Sequence, residues 1–100
     1  MEVKFRTAEL REAYTTQKKA MKLWGQVVAR KYVQRIDALY AARSADDLFK
    51  IPQLRFHPLE GDKEGKYSLT VHDRIRLIVS FEDEAMTKMV VEEVSKHYGN

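Results

Sequence analysis

The chain has 100 residues, 44% of them hydrophobic and 33% charged, which is enough apolar material for one core and too much charge for a membrane span. It reads as a single soluble domain over residues 1–100, with no apolar run of the roughly 20 residues that a transmembrane helix needs and no signal-like N-terminus in Met1-Glu2-Val3-Lys4-Phe5, so a cytoplasmic location is expected. With no cysteine, and three histidines without HxH or HxxxH spacing, it offers no disulfide, thiolate zinc site or cysteine nucleophile; chemistry without metal or cofactor is expected.

Val3–Phe5 alternates and reads as a short edge strand. Thr7 is a candidate N-cap for a helix over Ala8–Tyr14, with Glu9 in its first turn. Thr15–Lys19 reads either as a loop or as a weak helical turn. From Met21 to Ala42, Trp24, Val28, Tyr32, Ile36, Leu39 and Tyr40 recur at three- to four-residue spacing, with Lys22, Arg30, Lys31 and Arg35 largely between them. That pattern predicts one long amphipathic helix with Gly25 inside it. Ser44 is positioned to cap a short helix over Ala45–Lys50, ended by Pro52.

Beyond Pro52 the period changes from 3.6 to 2. Leu54, Phe56 and Pro58 alternate with Arg55, His57 and Leu59, and Gly61–Gly65 forms a glycine-bracketed loop. Lys66–Val71 is a strand with Tyr67, Leu69 and Val71 on one face. His72-Asp73 is the expected hairpin turn, and Arg74–Phe81 the next strand, with Ile75, Leu77, Val79 and Phe81 on the same apolar face. Glu82-Asp83-Glu84 is a turn, and Lys88–Val94 a last strand leading into Lys96-His97-Tyr98. Helices first and a meander afterwards predict an α+β domain, its N-terminal helices packed on one face of a mostly antiparallel sheet of four to five strands.

Charge is unevenly distributed. Residues 1–50 carry eleven Lys and Arg against six Asp and Glu, whereas residues 51–100 carry seven against nine. The basic half suits a polyanion or an acidic partner, although lysine-rich helix faces are commonly just solvated. On the sheet, alternation puts Arg74 and Arg76 together on the face opposite the apolar one, beside Lys66, Ser68 and Thr70. Two guanidiniums there either hold a phosphate between them or pair with an acidic neighbour such as Glu92. His57 is biased to extended geometry by Pro58. A set of His, Arg, Lys and Tyr on one face suits metal-free RNA cleavage, in which a base, an acid and a phosphate-stabilising cation are needed.

The run Leu54-Arg55-Phe56-His57-Pro58-Leu59-Glu60-Gly61-Asp62-Lys63-Glu64-Gly65-Lys66-Tyr67-Ser68-Leu69, followed by Val71-His72-Asp73-Arg74-Ile75-Arg76-Leu77-Ile78, resembles the HigB-type toxins of the RelE/ParE toxin-antitoxin superfamily. The likeness is close over residues 54–81, and the elements on either side agree in order and length. It implies a toxin that cuts messenger RNA on the ribosome, leaving a cyclic 2′,3′-phosphate, and is held inactive by a helix-turn-helix antitoxin of the HigA kind. Carried over by position, the resemblance implies proton transfer by His57 and by His97 or Tyr98, and phosphate stabilisation by Arg76. RNA contacts would come from Arg55, Lys63, Lys66, His72, Arg74 and Lys96, with Lys18, Lys19, Lys22, Arg30 and Lys31 meeting ribosomal RNA. Where the family often ends in Asp-Tyr-His, this chain reads Lys96-His97-Tyr98. A ParE-like toxin that inhibits gyrase by binding, without nuclease chemistry, is the alternative the same superfamily allows, and a non-toxic nucleic-acid-binding module is a third.

Overall fold

A computed structural model describes residues 1–96. The first strand, β1 (Glu2–Phe5), is followed by four helices, α1 (Ala8–Thr15), α2 (Gln17–Trp24), α3 (Gln26–Ala41) and α4 (Ala45–Phe49), and then by β2 (His57–Pro58), β3 (Tyr67–His72), β4 (Ile75–Phe81) and β5 (Lys88–Ser95). Short 3₁₀ turns occupy Pro52–Leu54 and Gly61–Lys63. The sheet order is β1-β5-β4-β3-β2, with β1 parallel to β5 and every other pair antiparallel. This is the expected α+β arrangement.

Thr7 caps α1 as its position suggests, its hydroxyl accepting from the Leu10 amide at 3.1 Å. The long helix expected over Met21–Ala42 is instead two. Gly25 lies at φ 83°, ψ 170°, a conformation open essentially to glycine alone, so the chain turns there and α3 starts afresh. Thr15–Lys19 is not a loop: α2 begins at Gln17. The apolar spacing survives the break, because the Trp24 ring packs at a tilt against Tyr32 one helix later, with centroids 4.6 Å apart.

The core lies between the helices and one sheet face. Tyr32, Ile36 and Leu39 from α3 are fully buried with Leu69, Leu77, Val79, Met89 and Val91 from the strands, each such side chain contributing about 1.5–3 kcal/mol by leaving water. The Tyr32 hydroxyl keeps its polarity satisfied by donating to the Leu10 carbonyl at 2.8 Å.

Four departures from the expected strand layout bear on the other face. β2 is only two residues long, since Pro52–Leu54 winds into a turn and Arg55 adopts a left-handed φ of 50°. The β3–β4 turn is Asp73-Arg74 rather than His72-Asp73, with Asp73 at φ 51°, a conformation aspartate tolerates. The register also slips between Thr70 and His72. Arg74 is therefore an exposed turn residue and does not share the strand face with Arg76. A second irregularity in β5 sets Glu93 opposite Ile78 and Val91 opposite Val79, leaving Glu92 as the extra residue.

Candidate active site

Register carries the geometry. Away from the helices, His57 on β2 lies opposite Ser68 on β3, which lies opposite Ile78 on β4 and, through it, Glu93 on β5. On the next rung of that face, Thr70 faces Arg76, and Arg76 faces Ser95 at the end of β5. Two strand spacings and one two-residue step separate His57 from Arg76, roughly 12 Å between Cα atoms, which the two side chains can span across a phosphate.

The His57 ring is held by its own chain. Nδ1 lies 2.7 Å from the Arg55 carbonyl, and because a carbonyl only accepts, the neutral ring must carry its proton on Nδ1. Nε2 is then a lone-pair acceptor facing away from that bond. The left-handed backbone at Arg55 is what turns the carbonyl back toward the ring.

Arg76 is buried, with 4% of its surface exposed, and donates Nη1 to the Asp73 carbonyl at 2.7 Å. Burial first, and the nearby Arg55 charge second, push its pKa down. Both effects are relieved by an anion. Among the described residues neither guanidinium has a carboxylate partner, and Glu92, the neighbour considered for that role, is bound by Arg6 and by the Ser80 hydroxyl instead.

The remaining expected residues spread around this face. Lys66, half-buried, precedes β3 in phase with Ser68 and Thr70, close enough for its charge to help lower the Glu92 pKa. Lys63 reaches Glu93 at 3.4 Å, so its side chain ties the Gly61–Lys63 turn to β5. His72 ends β3 beside the Asp73 carboxylate at 3.3 Å. Lys96 is exposed just past Ser95, while His97 and Tyr98 lie outside the described residues. Of the basic helix residues, Lys18, Lys22 and Arg30 are exposed, Lys31 is half-buried, and Lys19 pairs with Glu9 at 3.7 Å.

Side-chain patterns had no means of showing two of the contacts that build this face. One is the Arg55 carbonyl. The other is Arg35, counted among the polar positions of its helix, whose Nε donates to the Thr70 carbonyl at 2.7 Å. Leu59 bonds Lys66 from the β2 side, so by strand alternation the Thr70 carbonyl points to that same edge, where β2 has already ended; Arg35 occupies the place of the missing strand. No group of three or more His, Cys, Asp or Glu that could hold a metal occurs among the described residues, and no helix among them is long and apolar enough to cross a membrane.

Residues 3–93 match the family described as the RelE-like toxin of type II toxin-antitoxin system HigB. The chain belongs to this HigB-like toxin family. The match extends well beyond the segment that first suggested it, taking in most of β1, all four helices and most of β5. Solved structures share the fold at low identity. A YoeB/ParE toxin from Agrobacterium tumefaciens is 20% identical, with 98% of this chain and 100% of that one covered and a TM-score of 0.58. A chain of a YoeB-YefM complex from Staphylococcus aureus is 17% identical over 98% of both chains, with a TM-score of 0.55. No curated protein matches the HigB-like chain in sequence.

Proposed function

We propose that this HigB-like chain is a ribosome-dependent messenger-RNA endonuclease acting in the cytoplasm and neutralised by a cognate antitoxin. The observation that carries the reading is the pairing of a histidine whose Nδ1 is committed to the Arg55 carbonyl with a buried arginine on the adjacent rung of the same face that has no carboxylate partner among the described residues.

His57 Nε2 takes the proton from a ribose 2′-hydroxyl as that oxygen bonds to the adjacent phosphorus. The bond from phosphorus to the 5′ oxygen breaks, and the leaving oxygen receives a proton, producing a cyclic 2′,3′-phosphate and a 5′-hydroxyl. Arg76 stabilises the extra negative charge on the crowded phosphate, a task that its burial strengthens. His97 or Tyr98 serves as the acid. Arg55, Lys63, Lys66, His72, Arg74 and Lys96 contact the message. Lys18, Lys19, Lys22, Arg30 and Lys31 dock on ribosomal RNA, with an affinity that falls as salt rises.

A partner antitoxin is supported by the family's toxin-antitoxin description and by the YoeB-YefM complex among the structural neighbours; we take it to be a helix-turn-helix protein of the HigA kind. The test is a reconstituted translation reaction with mapped 5′ ends. Cuts that require ribosomes and vanish with His57→Ala and Arg76→Ala are expected. Intact message together with inhibited DNA supercoiling would overturn the nuclease in favour of a ParE-like gyrase inhibitor.

A further inference from the structure

The two edges of the sheet differ. At β2 the outward position is Pro58, which has no amide to offer, and Arg35 caps the Thr70 carbonyl beyond it. At β1 the amides of Glu2 and Arg6 donate to the Thr87 and Val91 carbonyls at 3.1 and 2.8 Å, and Lys4 lies in phase with them. The amides and carbonyls of Val3 and Phe5 therefore point outward, and among the described residues nothing bonds them. An unpaired edge of this kind is a template for another strand. Beside it lies a hollow of about 420 Å³ lined by Val3, Phe5, Tyr14 and Tyr40, with Lys4 and Arg11 at its rim. Its aromatic wall is continuous, with Phe5 and Tyr14 centroids 6.0 Å apart and those of Tyr14 and Tyr40 5.7 Å apart, and Tyr40 is 44% exposed.

We infer that an extended, acidic segment of the partner antitoxin adds to the open edge of β1 as a sixth strand, its alternate apolar side chains entering the hollow over Phe5, Tyr14 and Tyr40. Charge selects the kind of segment. Arg11 has no ion-pair partner among the described residues, Lys4 shares only the exposed Glu82 at 3.1 Å, and the nearby Asp37 carboxylate already accepts from the Tyr14 hydroxyl at 2.5 Å, so the rim favours an acidic occupant. A second hollow of about 290 Å³ shares Tyr14 with the first and continues along α3 past Val33 to Arg30. A segment following that path covers a residue assigned above to ribosomal RNA, and so competes with docking without touching the catalytic face. A second copy of the chain fits less well. Antiparallel pairing of two β1 strands puts both helical layers on one face of the joined sheet, where α1 and α3 of each copy, which flank the hollow through Tyr14 and Tyr40, compete for the same space. In its occupant the inference rests on the antitoxin reading above; the open edge does not.

The experiment uses the full chain as wild type, Val3→Pro and Arg11→Glu. The first probe is a short capped peptide alternating glutamate and valine, with a lysine–valine peptide as control. At saturating probe, amide exchange should slow at least about tenfold at Val3 and Phe5 and stay unchanged at Lys4, which faces β5 already. The control should bind at least about fivefold more weakly, and Arg11→Glu should reverse that preference. Val3→Pro removes an outward amide that β5 does not use and should abolish the protection at Phe5. The second probe is the antitoxin itself, taken as the neighbouring gene product that relieves the chain's toxicity. It should protect Val3 and Phe5, and bind each variant at least about tenfold more weakly than wild type, while ribosome-dependent cleavage by the free variants stays at the wild-type rate. The inference fails if the antitoxin leaves Val3 and Phe5 exchanging freely, or holds both variants as tightly as wild type. A dimer of the wild-type chain that Val3→Pro dissolves would overturn it in favour of self-pairing. Protection by the acidic peptide, with no gene product relieving toxicity, would uphold the open edge and sink the antitoxin reading.

Discussion

Arg6 grips Glu92 with two parallel bonds, Nε and Nη2 each 2.9 Å from a carboxylate oxygen. The pair joins the end of β1 to the irregularity in β5, and Ser80 adds a third donor from β4 at 2.5 Å. Arg6 first, with help from Ser80 and Lys66, holds the Glu92 carboxyl down at about 2, against an ordinary 4.5. Because the folded value is the lower one, the contribution is complete above the unfolded pKa and disappears as the pH drops through about 2. Thermal melts should therefore lose stability between about pH 5 and pH 2. Glu92→Gln should flatten that slope and cost about 1–3 kcal/mol at neutral pH.

Gly25→Ala would ordinarily favour a helix. Here the open space around the position is no help, since a Cβ would meet nothing within 4 Å and the cost comes from the backbone itself. Denaturant unfolding should show a loss of about 1–3 kcal/mol.

Tyr32→Phe removes one oxygen from the centre of the helical layer. Burial pushes the phenol pKa upward, so the hydroxyl stays a donor to Leu10 throughout the accessible pH range. The variant should fold and lose about 1 kcal/mol, with no change in any activity measured per folded molecule.

Glu93 anchors the Gly61–Lys63 turn across the sheet. Both groups are substantially exposed, and such pairs contribute no more than about 1 kcal/mol. Glu93→Ala should accelerate amide exchange in residues 61–65 by up to about fivefold while leaving the melting temperature nearly unchanged.

Arg76→Lys keeps the charge and discards the fork. A lysine cannot hold the Asp73 carbonyl and present a second donor in a fixed plane, so cleavage should drop at least about tenfold even though the residue remains a cation. Wild-type rates with lysine at this position would mean that only the point charge matters.

The strand faces were legible because a period of two leaves little choice once Leu69, Leu77 and Val79 must be buried. Arg74 was misplaced for a local reason: the turn starts one residue late, on an aspartate able to adopt φ 51°, with no glycine to mark it. Gly25 was visible, but an isolated glycine inside a periodic run does not reveal whether its φ is negative or positive. Of the candidate site, the shared strand face of Ser68, Thr70 and Arg76 could be read, whereas the departure of Arg74 from it and the bonds that orient His57 and Arg76 could not. The His57 and Arg35 contacts end on main-chain carbonyls, which every residue carries and no pattern distinguishes.

The Arg55–His57 contact has a consequence for how this site can change over time. Residue 55 contributes its carbonyl to the ring and its guanidinium to the field around Arg76, and the two contributions are mutationally separable. An asparagine, which tolerates the left-handed backbone, would leave the histidine's tautomer intact while erasing the charge. A substitution of this kind separates the electrostatic pull of residue 55 on Arg76 from the seating of the His57 ring, because the carbonyl that holds the ring belongs to the main chain.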